Sequence, residues 1–297
     1  MKQGHAMSNA LQEQVSQPTP DQQVVSYDRW RSRLPELKAS YQDAKPFPHI
    51  VLDDFLESRV VREAASEIPA PESEAWAHYV HINERKLGST NRKDFPLHVG
   101  LIVDALNAPP FLDFLSELTG IPQLQADETL EGGGMHQIRR GGFLNIHADF
   151  TVHPKRRHLR RRVNVLLYLN EDWLESYGGD LELWEKDMSK CAHRIQPLLN
   201  RVVVFNTDED AYHGHPDKLT CPEDRTRKSI ALYYFTEAQG AVHERSTEYK
   251  ARPTDGLKSI AIFADKMVLR LYDFAKRRLG LDDRMTARIL KLLSRKR

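Results

Sequence analysis

Hydrophobic positions along this chain change their period near Gly132-Gly133-Gly134. Upstream, apolar residues recur at helical spacing. Helices are expected from Tyr27 to Tyr41, interrupted near Pro35, from Ser58 to Ile68 with Ser58 as a cap, from Leu97 to Leu106, and from Pro110 to Leu118 ending at Gly120. Phe47–Phe55 reads as a strand running into a turn. Downstream of the glycines, short runs of β type are separated by turn signals. They predict strands at Met135–Arg139, Phe143–Asp149, Val163–Leu169, Asp180–Trp184, His193–Gln196, Arg201–Asn206, Tyr212–His215 and Lys228–Thr236. So many short strands in roughly a hundred residues point to a jelly roll or related β-sandwich. Beyond Pro253 the helical period returns. Leu257–Leu279 carries Ile260, Phe263, Met267, Leu271 and Phe274 on one side, Gly280 stops it, and Asp282 caps a last helix striped by Met285, Ile289 and Leu293. The organisation expected is a polar, disordered leader over residues 1–25, a helical part with a lead-in strand over 26–131 packed on the core, a β core over 132–240, and a helical extension with a basic end over 241–297.

Composition narrows this picture without redirecting it. The chain has 297 residues, 40% of them hydrophobic, and a formal net charge of +1, so bulk charge favours neither nucleic acid nor membrane as a partner. No apolar run is long enough to span a bilayer, and the start lacks a signal-peptide pattern, which makes cytoplasmic the expected location. Cys191 and Cys221 have no metal-ligand spacing and read as free thiols.

The candidate chemistry lies in the β region. His147 and Asp149 are two apart, so on an extended segment they face the same way and can reach one metal ion. A histidine from a distant strand would complete a two-His, one-carboxylate set with open positions, which suits Fe(II) that activates oxygen. His213 and His215, in Tyr212-His-Gly-His-Pro216, are both candidates, and strand periodicity does not choose between them. In the last core strand, Arg227, Ser229, Ala231 and Tyr233 share a small, polar face, while Lys228, Ile230, Leu232 and Tyr234 share a mostly apolar one. A guanidinium at the end of the first face suits a carboxylate ligand. Asn164, Leu166 and Tyr168 share a face in the same way.

In chain order, His147-x-Asp149, Tyr168-Leu-Asn-Glu-Asp-Trp173, Gly178-Gly-Asp-Leu-Glu-Leu-Trp184, Tyr212-His213-Gly214 and Arg227 resemble the motifs of the 2-oxoglutarate- and Fe(II)-dependent oxygenases, in the prolyl-4-hydroxylase-like branch. Phe47–Leu56 resembles the lead-in strand of that branch. The resemblance covers about residues 132–236. It implies a mainly β core, a double-stranded β-helix or jelly roll of cupin type, with flanking N- and C-terminal α-helices. It implies that His147, Asp149 and His213 bind iron, which prefers His213 over His215. It further implies that Arg227 holds the distal carboxylate of 2-oxoglutarate, that Tyr168 offers a hydroxyl to the same group, and that Leu181 and Tyr233 form pocket wall. Leu144 departs from the pattern, standing where some relatives place another cosubstrate-binding tyrosine. The implied cofactors are Fe(II), 2-oxoglutarate as cosubstrate and O2, with ascorbate a candidate reductant.

The expected activity is hydroxylation of an unactivated C–H bond in a prolyl or other residue of a protein, or in a small molecule, with release of succinate and CO2. The competing classes are a cupin-like metalloprotein that does not use 2-oxoglutarate and a non-catalytic binding module on the same fold. His136 is a candidate pocket residue, whereas His153, His158 and His193 read as core, loop or surface histidines. The basic run Lys155–Arg162 could steer an acidic substrate but reads first as a solvated loop and strand edge. The last helix carries Arg284, Arg288, Lys291, Arg295, Lys296 and Arg297, and packing or self-association is favoured there over contact with an anionic membrane surface. Substrate identity and oligomeric state are not encoded in these motifs.

Overall fold

The computed structural model describes residues 24–207, 210–238, 240, 244–257, 259, 260 and 262. Most of the expected polar leader and most of the C-terminal helical extension with its basic end lie outside the described residues. Val24 and Val25, at the end of the expected leader, are buried, and Val25 pairs with Leu56.

The N-terminal part opens with helices α1 (Tyr27–Arg31) and α2 (Leu34–Asp43), and Pro35 sits in the first turn of α2, where its missing N–H is harmless. Strand β1 (His49–Leu52) and helix α3 (Ser58–Glu67) follow. Ser58 is the first residue of α3 rather than its cap; Glu57 holds the cap position, without a side-chain bond to the helix. Helices α4 (Leu97–Asn107) and α5 (Pro109–Thr119) come next, and α5 stops at Gly120 in the left-handed conformation. Among the described residues no single helix is long and apolar enough to cross a membrane.

The helical description of this part is incomplete. Between α3 and α4 the chain forms a hairpin, β2 (Ala77–His81) and β3 (Glu84–Ser89), and after α5 a short strand β4 (Gln125–Ala126). β3 pairs with both β5 (Gly134–Ile138) and β6 (Phe143–Ala148), filling the place between them. The approach is close: a Cβ on Gly134, whose φ is +82°, would lie 2.2 Å from the Ser89 carbonyl oxygen. Only glycine fits that position.

The other core strands are β7 (Leu159–Tyr168), β8 (Leu181–Trp184), β9 (Cys191–Ile195), β10 (Val202–Asn206), β11 (His213–His215) and β12 (Arg227–Glu237), and a two-residue β13 (Glu248–Tyr249) pairs with β6. Every strand expected from the sequence forms, with ends shifted by a few residues. All pairings are antiparallel, in the order β1-β10-β7-β12-β5-β3-β6-β11-β8-β9. This sheet curls into a jelly roll, so that β6, β11 and β8 face β7, β10 and β12 across its interior.

Two layers of packing hold the roll. Val163, Val165, Leu167, Val202, Val204, Ile230, Leu232 and Tyr234 point outward and pack with α2 to α5, through Leu37, Tyr41, Val61, Val99, Ile102, Leu106, Phe111 and Leu115. Alternate residues point inward, and Phe47, Tyr168, Leu181, Leu183, Ile195, Val203 and Phe205 close one end of the interior. What stays open is a cavity at the other end.

Candidate metal and cosubstrate site

β6 delivers His147 and leads directly to Asp149, while β11 delivers His213, which is paired in register with His147. The antiparallel pair therefore brings two residues 66 positions apart onto one face as neighbours. One ligand atom from each of His147, Asp149 and His213 lies within 4.8 Å of the others, and all three residues are buried. His147 Nε2 is 3.6 Å from Asp149 Oδ1, and His213 Nε2 is 3.6 Å from Asp149 Oδ2.

The far side of each imidazole is held. His147 Nδ1 is 2.9 Å from the Asn145 carbonyl oxygen and His213 Nδ1 is 2.9 Å from that of Ala211. A carbonyl only accepts, so each Nδ1 carries the proton and each Nε2 turns its lone pair to the common centre. Phe205 packs on the His213 ring at 4.6 Å and Tyr249 on the His147 ring at 5.5 Å. Burial and the neighbouring His147 push the His213 imidazole down to about 4, although Asp149 opposes them. Neutral imidazoles and an ionised carboxylate are the protonation states a divalent metal requires.

Burial alone would raise the Asp149 carboxyl, but Arg161, His213 and His147 hold it well below the usual carboxylate range. Arg161 Nη2 lies 2.9 Å from Asp149 Oδ2, and Asn164 Nδ2 donates to the same oxygen at 2.8 Å. Arg161 also donates to Asn164 Oδ1 at 2.7 Å, and its guanidinium lies 3.5 Å from the centre of the Tyr233 ring. Arg161 belongs to the basic run that reads as a solvated edge, yet it is 2% exposed and part of the site. Three other residues of the run are in ion pairs: Lys155 with Glu131, Arg156 with Asp127 and Arg157 with Glu244.

The triad opens into a cavity of ≈ 230 Å³ whose walls include Ile138, Leu144, Leu166, Tyr168, Leu181, Arg227, Ser229, Ala231 and Tyr233. Arg227 is buried, and its Nε donates to the Gly179 carbonyl at 2.7 Å, which fixes the guanidinium. Burial lowers its pKa, against the pull of Tyr168 and Asp180. The Arg227 guanidinium lies 4.9 Å from the centre of the Tyr168 ring. The Tyr168 hydroxyl is buried and makes no hydrogen bond of good geometry within the protein. A fixed buried cation beside an unsatisfied hydroxyl fits a small carboxylate and leaves an apolar core badly served.

The structure thus brings His147, Asp149, His213, Arg227, Tyr168, Leu181 and Tyr233 to one cavity. His136 lines it as well, its pKa pushed down to about 3 by burial and Lys86. His215 shares the cavity but not the triad. Sequence reasoning missed Arg161, the hairpin residues Tyr79, Glu84 and Lys86, and Thr247 and Tyr249 beyond the core. Asn164 was legible through its shared face with Tyr168; the others carry no periodic signal.

Residues 133–235 match the model of the 2OG-Fe(II) oxygenase superfamily. Among solved structures, a prolyl hydroxylase from Trichoplax adhaerens, in complex with a hypoxia inducible factor oxygen degradation domain peptide fragment, is similar at a TM-score of 0.51 and 16% identity, over 72% of this chain and 95% of that one. A prolyl-4-hydroxylase from Pseudomonas putida matches at a TM-score of 0.48 and 20% identity, over 69% of this chain and 100% of that one. The first likeness is one of fold, and the superfamily match coincides with the strands that carry the triad. The match to the 2OG-Fe(II) oxygenase superfamily thus covers the strands that carry the His-Asp-His set, and the two together support a non-haem iron oxygenase.

Proposed function

We propose that this enzyme hydroxylates an unactivated C–H bond, with 2-oxoglutarate converted to succinate and CO2. The observation that carries the reading is the opening of the triad and of the fixed, buried Arg227 into one cavity. In this reading His147 Nε2, Asp149 and His213 Nε2 hold Fe(II), and Arg227 and Tyr168 take the distal carboxylate of 2-oxoglutarate. Bound iron supplies activation of O2, coupled to oxidative decarboxylation of the cosubstrate.

The chain's own residues position and insulate. Arg161 and Asn164 occupy Asp149 Oδ2 with two donors, which leaves Oδ1 the better placed oxygen for a metal. The Arg227 charge acts in a low-dielectric wall, where its attraction for a carboxylate is far stronger than in water. Leu166, Leu181, Ile138 and Ala231 keep the surrounding wall apolar and limit water at the reacting centre. At the mouth, Tyr79 and Lys86 of the hairpin stand with Phe150, Thr247 and Tyr249. The target is a prolyl or other residue of a protein, or a small molecule, admitted there. The peptide bound to the fold-related Trichoplax enzyme supports the protein alternative.

The test is anaerobic addition of Fe(II) and then 2-oxoglutarate, read as a visible charge-transfer absorbance and as a thermal shift, followed by a substrate search for succinate release under O2. Stabilisation by Fe(II) with no further change on adding 2-oxoglutarate would sink the reading.

A further inference from the structure

We propose that His215 positions the cosubstrate, supplying from β11 a hydrogen bond that Leu144 on β6 cannot make. This rests on the cosubstrate reading above. Leu144 is an apolar side chain and offers a ligand no hydrogen bond. His215 is its direct cross-strand partner. The pairing shifts register between His213 and His215, yet both the Leu144 and His215 side chains line the cavity that holds Arg227 and Tyr168. Gly214 sits at that shift, where a Cβ would lie 2.8 Å from the Asn145 carbonyl oxygen and 2.9 Å from that of Leu144. No side chain fits there, so the strands meet closely and His215 stays opposite Leu144.

The imidazole itself is out of place as mere filling. It is 4% exposed, and its Nδ1 has no hydrogen-bond partner. Native proteins rarely leave a buried nitrogen unpaired, and an aliphatic side chain would fill the same space without that penalty. The surroundings select the missing partner. Asp149 and Glu84 also line the cavity, paired with Arg161 and Lys86, but the groups that act on His215 are Arg227, Lys86, His147 and His136, so an anionic acceptor is welcome beside it. A neutral imidazole can carry its proton on either nitrogen, and a half-turn about χ2 exchanges its edges. A carboxylate oxygen of a small 2-oxo dicarboxylic acid would fix the ring as a donor. The triad does not need His215, because His213 holds the position in register with His147.

Two variants test this in the Fe(II)-loaded protein under anaerobic conditions. His215→Leu keeps the volume and removes the hydrogen bond; His215→Asn keeps a donor near the Nδ1 position. Each is titrated with 2-oxoglutarate by its charge-transfer absorbance, while Fe(II) affinity and thermal unfolding are measured separately. His215→Leu is expected to raise the cosubstrate Kd about tenfold or more, with Fe(II) affinity unchanged, and His215→Asn to stay within about threefold of wild type. A Kd for His215→Leu within about twofold of wild type overturns the proposal, as does an Asn variant no better than Leu, or a parallel loss of Fe(II) binding. Wild-type protein that binds Fe(II) yet gives no such absorbance overturns the cosubstrate reading itself, and this proposal with it.

Discussion

The two faces of β12 divide the labour of this enzyme within one strand. Arg227, Ser229, Ala231 and Tyr233 line the cavity, while Ile230, Leu232 and Tyr234 pack with the helices in the outer core. Lys228, on the outer face at the strand's start, donates to the Ala65 carbonyl of α3. The cavity face keeps one fixed cation, a hydroxyl and a methyl where ligands need room; the outer face is close-packed and nearly dry. Because side chains alternate, neither face needs to compromise for the other. The same division runs through β7, where Asn164 and Tyr168 face the site and Val163, Val165 and Leu167 face the helices. Function and stability should therefore separate by residue parity, and variants can be chosen to break that separation.

Arg227→Ala should have the largest effect. In the proposed reading, removing the buried guanidinium deprives the cosubstrate carboxylate of its main partner, which typically costs about 2–5 kcal/mol, or roughly 30-fold to a few thousandfold in affinity. Arg227→Lys keeps the charge but loses the fork, so its KM for 2-oxoglutarate should rise less. Unchanged KM values for both variants would remove Arg227 from the site. Leu232→Ala tests the other face. Leu232 is 1% exposed, and a truncated leucine in such a core costs about 2–5 kcal/mol. Thermal or denaturant unfolding should show that loss, while the KM of the folded protein stays at the wild-type value. A large KM change in Leu232→Ala would break the parity argument.

Arg161 shows where alternation stops being readable. Counting back by two from Asn164 would send Arg160 and Arg162 into the cavity and Arg161 to the outside. In the structure Phe235 pairs with Arg161 and Tyr234 with Val163, so β7 spends an extra residue at Arg162. That bulge reverses the phase and turns Arg161 inward to Asp149. A run of basic residues hides such a slip, because every position in it has the same polarity. The core strands were legible because their apolar residues are not uniform in this way, and the His147–Asp149 pair was legible because the two residues are two apart at the end of β6. The choice of His213 over His215 was not legible from periodicity, since two residues apart on one strand share a face; the family resemblance preferred His213, and it is His213 that pairs with His147. The hairpin was hidden for another reason. β2 is exposed along its whole length, so it carries no burial pattern, and β3 is placed by backbone pairing against glycines. Arg161→Ala measures what that missed residue does. Loss of a group that orients a metal ligand typically costs 10–100-fold in metal affinity. Fe(II) binding should weaken by about that factor, while the 2-oxoglutarate Kd at saturating Fe(II) moves little. Unchanged Fe(II) affinity would demote Arg161 to a packing role.

The smallest effect gives the sharpest comparison, because Tyr233 and Tyr234 are adjacent and identical in chemistry. The Tyr234 hydroxyl donates to the Leu106 carbonyl at 2.8 Å, and the whole side chain is buried. Leu106 lies in the last turn of α4, where carbonyls have no acceptor role left within the helix. Tyr234 thus caps a helix from a strand, and its ring meets Phe111 of α5 at 5.9 Å. Tyr234→Phe keeps the ring and strands that carbonyl without a donor, for a loss of about 1–2 kcal/mol. The Tyr233 hydroxyl also donates at 2.8 Å, to the Gly132 carbonyl, but at the rim, where water can replace it. Tyr233→Phe should therefore shift stability by no more than about 0.5 kcal/mol. Thermal unfolding of the two variants side by side decides the matter. Equal losses would mean that the cavity face contributes to the fold as much as the packed face does, and that β12 does not divide its labour by parity.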